Sequence, residues 1–396
     1  MTVRVNKDSF NLREKLSELE RPIGLKGSDL MSADTAQEAR DLVSAGRKNI
    51  LINGACTINQ RFGSGTYTLT SSTAYFPVDR FKSWAAGGGQ FTIQRSDNAP
   101  PGFKNSLMFT VSTADSSIAS GDYYVVQQRV EGYNFAHLNW GTANAKPVTL
   151  SFWVKADVTG KYGISFWPNG QNYNYVTHYN INTTDTWEYK TITIPGATSG
   201  TWLTDSGMGF GIWWDLGSGS TYETSTTETW GQSNKFLPTS TTKMISTNGA
   251  KFRMTGVQLE VGKNATDFEH RSYGEELALC ERYFEKIWQN NNSQSPNSGG
   301  DGYNTIASGA HNGTYGYYVW KFRTQKRVRP SLDYVGKFRV LGGGSISNLT
   351  INEFYSPGVD AGRIRSSHSG STGQAFVFEF DGGNSSNGYL SATAEL

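Results

Sequence analysis

The chain has 396 residues, with 45 glycines, 11 prolines, 21 Phe, 20 Tyr and 11 Trp, and only 18% of it is charged. Glycine-rich turns between short aromatic and threonine-rich runs read as mostly β structure, and exclude a helical bundle, a long coiled coil and a collagen repeat. The formal net charge of +2 gives no whole-chain case for a nucleic-acid binder, and no run of 18 apolar residues offers a membrane span.

Residues 1–50 stand apart from the rest of the chain. Of these 50 residues 17 are charged, against 53 of the remaining 346. Leu12, Leu16 and Leu19 make one helical stripe, with Asp8 or Ser9 as cap and Pro22 as stop. A second helix fits residues 35–45, where Thr35 and Glu38 have capping-box spacing and Gly46 suits the C-terminal end. Helices this short with such narrow apolar faces are marginal alone, so the segment is expected to dock on another chain or on the next domain. Its opening residues lack the apolar run of a signal peptide, so assembly in a cytoplasm is expected.

From residue 49 the pattern becomes β. The run 49–62 alternates, and further strands are expected at 90–94, 106–112, 123–130, 148–156, 162–167, 175–181, 187–194, 209–216 and 252–261. Their even spacing and polar loops predict a two-sheet sandwich, best fitted by a jelly roll, over residues 51–270. Residues 271–290 read as a linker helix, with Leu277, Cys280, Phe284 and Trp288 on one face. A polar loop at 290–302 leads to a second, smaller β domain over 291–396, with strands expected at 316–324, 336–340, 346–354, 374–380 and 388–394. The fold class is thus mostly β: a jelly-roll sandwich with short N-terminal helices, a linker helix and a second β domain.

Cys56 and Cys280 lie far apart without a CxxC pair and are expected to be free, buried thiols. The five histidines show no local metal-ligand spacing, and the acids of the large domain show no marked pair, so no catalytic residue, metal ligand or cofactor is assigned. Aromatics give more. Trp153 and Ile164 are expected in the core. Trp213 and Trp214 are adjacent, so on a strand one must face the core and the other must face out. With Tyr173 and Tyr175 of the amide-rich loop 168–175, the outward ring would suit the C–H face of a sugar or a partner subunit. In 320–340, seven basic residues meet one acid. Lys321, Arg323, Arg327 and Arg329 are the candidates for a basic face that meets anionic surface polysaccharide or lipopolysaccharide, or stays solvated.

Several blocks resemble bacteriophage tail-fibre and virion attachment proteins of short-tailed phages of marine bacteria and cyanobacteria. They are TAQEARDLVSAGRKNILINGACTINQR (35–61), VDRF (78–81), DYYVVQQRVEG (122–132), WGTANAKPVTLSFWVKA (140–156), TWEYKTITIPG (186–196), TGVQLEVGKNATDFEHRSYGEELALCERYF (255–284) and GYLSATAEL (388–396). The resemblance implies a jelly roll akin to carbohydrate-binding modules, a homotrimer, and anchorage to a tail adaptor or other virion protein through residues 1–50. It implies a non-enzymatic fibre on the virion tail, assembled in the host cytoplasm, that contributes to host attachment, with its distal tip in the C-terminal domain. No nucleic-acid or membrane-inserted partner is expected. A head or tail decoration protein without a ligand, and a glycan depolymerase, are the alternatives.

Overall fold

The structure is a computed structural model that describes residues 48–61, 65–70, 74–288, 305–342, 345–349, 351–355, 358–380 and 388–396. The two helices expected before residue 46 and the polar loop after 290 fall outside these residues.

The first unit runs through β1 (Tyr67–Leu69), β2 (Ala74–Val78), β3 (Phe81–Ala86), β4 (Gln90–Ser96), β5 (Ser106–Thr113), β6 (Tyr123–Glu131), the one-turn helix α1 (Gly132–Phe135), β7 (Val148–Ala156), β8 (Gly160–Pro168), β9 (Tyr175–Ile181), β10 (Glu188–Ile194), β11 (Met208–Asp215), the two-residue strands β12 (Glu223–Thr224) and β13 (Leu237–Pro238), and β14 (Lys251–Val261). It is the expected jelly-roll sandwich. One six-stranded sheet has the order β1-β4-β5-β14-β7-β10 and the other β2-β3-β6-β11-β8-β9, and the pairs within both are antiparallel. Alternation drives the assembly, since each strand sends every second side chain inward. Phe91, Phe109, Phe152 and Phe252 of the first sheet meet Tyr124, Phe166, Ile212 and Trp214 of the second, all fully buried. Each such side chain contributes about 1.5–3 kcal/mol by leaving water.

Two expectations fail here for identifiable reasons. Residues 49–61 alternate but form no strand, because side-chain amides take the backbone's partners. Asn49 accepts from Leu51 N and Leu259 N at 3.0 Å each through its Oδ1, and donates to Val257 O at 3.1 Å. Asn53, in a left-handed conformation (φ 62°), accepts from Ile58 N and donates to Ile58 O and Asp79 O. Gly54 packs so closely that a Cβ there would stand 2.0 Å from Val257 O. Trp153 is not a core residue. Phe152 and Val154 point inward, so Trp153 lies on the outer face, 5.3 Å from the exposed Tyr189 ring. Ile164 is in the core as expected.

Helix α2 (Tyr273–Glu281) starts at Ser272, whose Oγ accepts from Glu275 N, but it is shorter than the stripe implies. Phe284 and Trp288 lie instead on β15 (Phe284–Trp288), paired with the last strand. The run FEKIW has no two-residue alternation of its own, and its extended form comes from the continuous antiparallel ladder that it makes with β24, residues 389–393.

The second unit continues through β16 (Thr305–His311), β17 (Tyr315–Lys321), β18 (Ser331–Val335), β19 (Phe338–Leu341), β20 (Ser345–Leu349), β21 (Ile351–Tyr355), β22 (Ala361–Ser367), β23 (Ala375–Phe380) and β24 (Tyr389–Thr393). A three-stranded sheet, β15-β24-β18, joins a seven-stranded one, β20-β19-β23-β16-β17-β22-β21, around Tyr318, Trp320, Phe338 and Phe378. The run expected as one strand at 346–354 is two. β20 pairs with β19 and β21 with β22, so one stretch of chain supplies both edges and the sheet curls toward a barrel.

Charged groups join the two units. Arg282 holds Glu131 with two bonds of 2.9 and 2.6 Å, and Tyr283 Oη adds a third at 2.7 Å. Arg327 donates to Ser206 O of the sandwich and to Ala394 O and Glu395 O of the C-terminal segment. Arg61 and Arg80 of the sandwich both pair with Glu395. Beside them Lys326, fully buried, donates to Glu285 at 2.7 Å and to Glu281 O at 2.6 Å. Glu285→Ala should strand that ammonium and cost about 3–5 kcal/mol in denaturant unfolding, whereas Lys326→Met combined with Glu285→Leu should recover most of the loss. A cost below about 1 kcal/mol for the single change would show that the pair is solvated.

Candidate functional site

The second sheet carries aromatic side chains on both faces. Its inner face is the core. On its outer face the register lays side chains in three rows across the strands. Trp84 stands opposite Val125, and Val125 opposite Asp215. The next row is Lys82, Gln127, Trp213, Ser165 and Val176, from β3 to β9. The third is Arg129, Gly211 and Trp167. Glycine at 211 lets the Trp167 ring cross β11, since a Cβ there would sit 2.6 Å from it.

Half of this face is roofed. The segment 217–239, held by the parallel β12–β13 pair, places Phe236 flat on Trp213, with centroids 4.4 Å apart and planes at 24°. Tyr222 and Leu237 complete the cover. The other half lies outside this roof, and the C-terminal Leu396 also packs against the same apolar cluster. Trp84 and Tyr123 meet edge to face at 5.3 Å, both half-buried, and Tyr123 reaches Trp213 at 6.2 Å. The Lys82 ammonium stands 4.8 Å over the Trp84 ring and the Arg129 guanidinium 5.3 Å over Trp167. Beneath, the indole N–H groups of Trp167 and Trp213 and the hydroxyl of Ser165 are buried without a hydrogen-bond partner. Burial, and then the charge of Arg129, pull Lys82 down to about 8.

The side chains singled out from sequence are distributed differently. Trp214 faces the core and Trp213 faces out, as adjacency requires, but neither is exposed: Trp213 retains 5% of its surface under the roof. Tyr175 is a core residue. Tyr173 is half-buried at the rim, stacked on Trp230 at 6.0 Å with planes 4° apart. Trp230 itself packs edge to face on Trp140 and Trp202. In the C-terminal unit Trp320 and Phe322 are buried and Lys321 and Arg323 exposed, as alternation requires. The four basic candidates do not form one free face, however. Arg327 is spent at the junction and Arg323 pairs with Glu281 at 3.1 Å, while Lys321 and Arg329 are exposed.

Sequence reasoning missed Lys82, Trp84, Tyr123, Gln127 and Arg129. The available signal was polar Gln127 and Arg129 within the otherwise apolar run YYVVQQRV, which marks a central strand with one face that is not core. Both cysteines are free and buried, and burial pushes Cys56 up to about 12. His311 and His368, remote in sequence, meet with ring centroids 4.7 Å apart, yet no group of three or more His, Cys, Asp or Glu among the described residues is placed to hold a metal ion.

No protein-family model and no curated protein matches the chain. Solved structures align over about half of it. The enzymatically active domain of bacteriophage CBA120 tailspike protein 4 is 12% identical over 54% of this chain and 21% of that one, with a TM-score of 0.29, so the match spans about a fifth of the tailspike chain. The family 11 carbohydrate-binding module of cellulosomal cellulase Lic26A-Cel5E of Clostridium thermocellum is 13% identical over 51% and 98%, with a TM-score of 0.26. TmCBM61, solved with β-1,4-galactotriose, is 14% identical over 55% and 100%, with a TM-score of 0.24.

The state of Lys82 is measurable. Its folded-state value lies below the ordinary 10.5, so the folded chain holds fewer protons than the unfolded one between about 8 and 10.5. The penalty of charging it in place is full below pH 8 and is relieved as pH rises through that window. After reductive ¹³C-methylation, the resonance lost in Lys82→Arg should titrate with a midpoint near 8. A midpoint near about 10 would mean a solvated lysine.

Proposed function

We propose that the unroofed half of this outer face binds carbohydrate without catalysis, and that the chain is a phage virion attachment protein carrying that module. One observation carries the first part. Trp84 and Tyr123 present a half-buried, edge-to-face aromatic pair with the Lys82 ammonium 4.8 Å over the Trp84 ring, and Arg129 lies farther along the same strand face, over Trp167. A sugar ring has an apolar C–H face and a rim of hydroxyls. Aromatic rings match the first, and ammonium and guanidinium donors match the second. The face is also rigid, because Tyr123, Trp213, Tyr222 and Phe236 brace one another, so little side-chain freedom is lost on binding.

The virion reading rests on the motif resemblance over residues 35–284 and at the chain's end. On it, residues 1–50 fasten a homotrimer to the tail, and the β units project toward host surface polysaccharide or lipopolysaccharide.

Affinity measurements on a panel of host-surface oligosaccharides test the binding face. Trp84→Ala and Tyr123→Ala should each weaken the best ligand about tenfold, which is ~1.4 kcal/mol. Tyr173→Ala at the rim should leave affinity unchanged. If the rim variant abolishes binding while the other two do not, the site is the Tyr173–Trp230 stack and this reading fails.

A further inference from the structure

The C-terminal unit carries a second constellation, distant in sequence from the first and built from arginine and tyrosine. On the outer face of its seven-stranded sheet, Tyr317 stands opposite Arg365 and Arg365 opposite Glu353. One step along, Val319 stands opposite Arg363 and Arg363 opposite Tyr355. The opposite face of the same strands carries Tyr318, Trp320 and Ile364 into the core, so the outer set is free of packing duty.

The two guanidiniums each stand over a tyrosine ring. Arg365 lies 4.5 Å over Tyr315. Arg363 lies 4.5 Å over Tyr317 and 5.9 Å over Tyr355, whose hydroxyl it also meets at 2.9 Å. Their charge balance differs. Arg365 pairs with Glu353 at 2.6 Å, and its Nε is buried without a partner. Arg363 has no carboxylate within ion-pair distance among the described residues. A guanidinium that is ordered by two aromatic rings and lacks a counter-ion is a planar donor set prepared for a planar anion. Its surroundings suit an extended ligand. Val319 beside it is 57% exposed, Lys321 is exposed farther along the same face, and Ser308 and Ala310 of β16 leave the flank of the tyrosine row low.

We propose that this face binds an acidic polysaccharide, with a uronate carboxylate on Arg363 and the sugar ring against the exposed edges of Tyr317 and Val319. A carboxylate matches the guanidinium fork in two parallel bonds, and a sugar ring supplies the apolar contact that inorganic anions lack. The site is independent of the sandwich face, and neither depends on the other.

Isothermal titration of the full chain with a short oligogalacturonate, and with a neutral oligogalactan of equal length as reference, tests this. The uronate should bind at least tenfold tighter than the galactan, and binding should weaken as salt is raised from 0.05 to about 0.5 M. Arg363→Gln should lose at least tenfold in affinity, while Trp84→Ala should lose none. Arg363→Lys keeps the charge and discards the fork, so it should also lose most of the affinity and serves if the glutamine variant does not fold. Equal affinity of wild type and either Arg363 variant, equal affinity for uronate and galactan, or no uronate binding at millimolar concentration would each overturn the proposal.

Discussion

Glu131 is 1% exposed and ionisable, and a buried carboxylate is tolerated only where donors surround it. It ends the central strand β6, and its donors come from the chain just after helix α2, where Arg282 and Tyr283 close on it together. Separating the chain after helix α2 from the sandwich would therefore break three bonds to one carboxylate at once. The surrounding contacts repeat the arrangement. Arg80 stacks over the Tyr283 ring at 3.5 Å and also pairs with Glu395, and Gln60 ties Asp79 to Phe284 O. Each bond alone is modest, but all of them cross the same boundary, and breaking one leaves its partner buried.

This fixed junction bears on the proposed binding face because β6 belongs to both regions. Its inward residues Tyr124, Val126, Gln128 and Val130 face the core, its outward residues Tyr123 and Arg129 face the aromatic patch, and its end carries Glu131. Even an inward polar group is employed: the Gln128 amide exchanges two bonds of 3.0 Å with Ile52, which fastens the strandless segment 49–61 across the end of the sandwich. One strand thus sets the positions of core, patch and junction at once.

The legibility of the fold in the sequence reflects this division of labour. Strands with one clear apolar face, such as β7 and β9, were legible to the residue, because alternation alone determines them. Residues 49–61 alternate equally well, but Asn49 and Asn53 supply the bonds that a neighbouring strand would have supplied, and no periodicity reveals that. The tryptophan pair shows the same limit for the site. Adjacency correctly sends Trp214 in and Trp213 out, yet the cover over Trp213 comes from Phe236, twenty-odd residues later, so exposure was not a local property. Trp84 and Tyr123 escaped because their role depends on cross-strand register, and the short run β3 gave little pattern to read.

The curled sheet of the C-terminal unit has a last consequence. Its two boundary strands are consecutive, with Leu349 ending one and Ile351 opening the other. Two such points are at most about 7 Å apart along the chain, so the seam is spanned by a covalent link where most closed sheets rely on a ladder of hydrogen bonds. Such a sheet cannot unroll by peeling its borders apart, because the borders are one thread. Each of its two borders is a strand of only five residues, so neither offers a long margin on which a foreign strand could register.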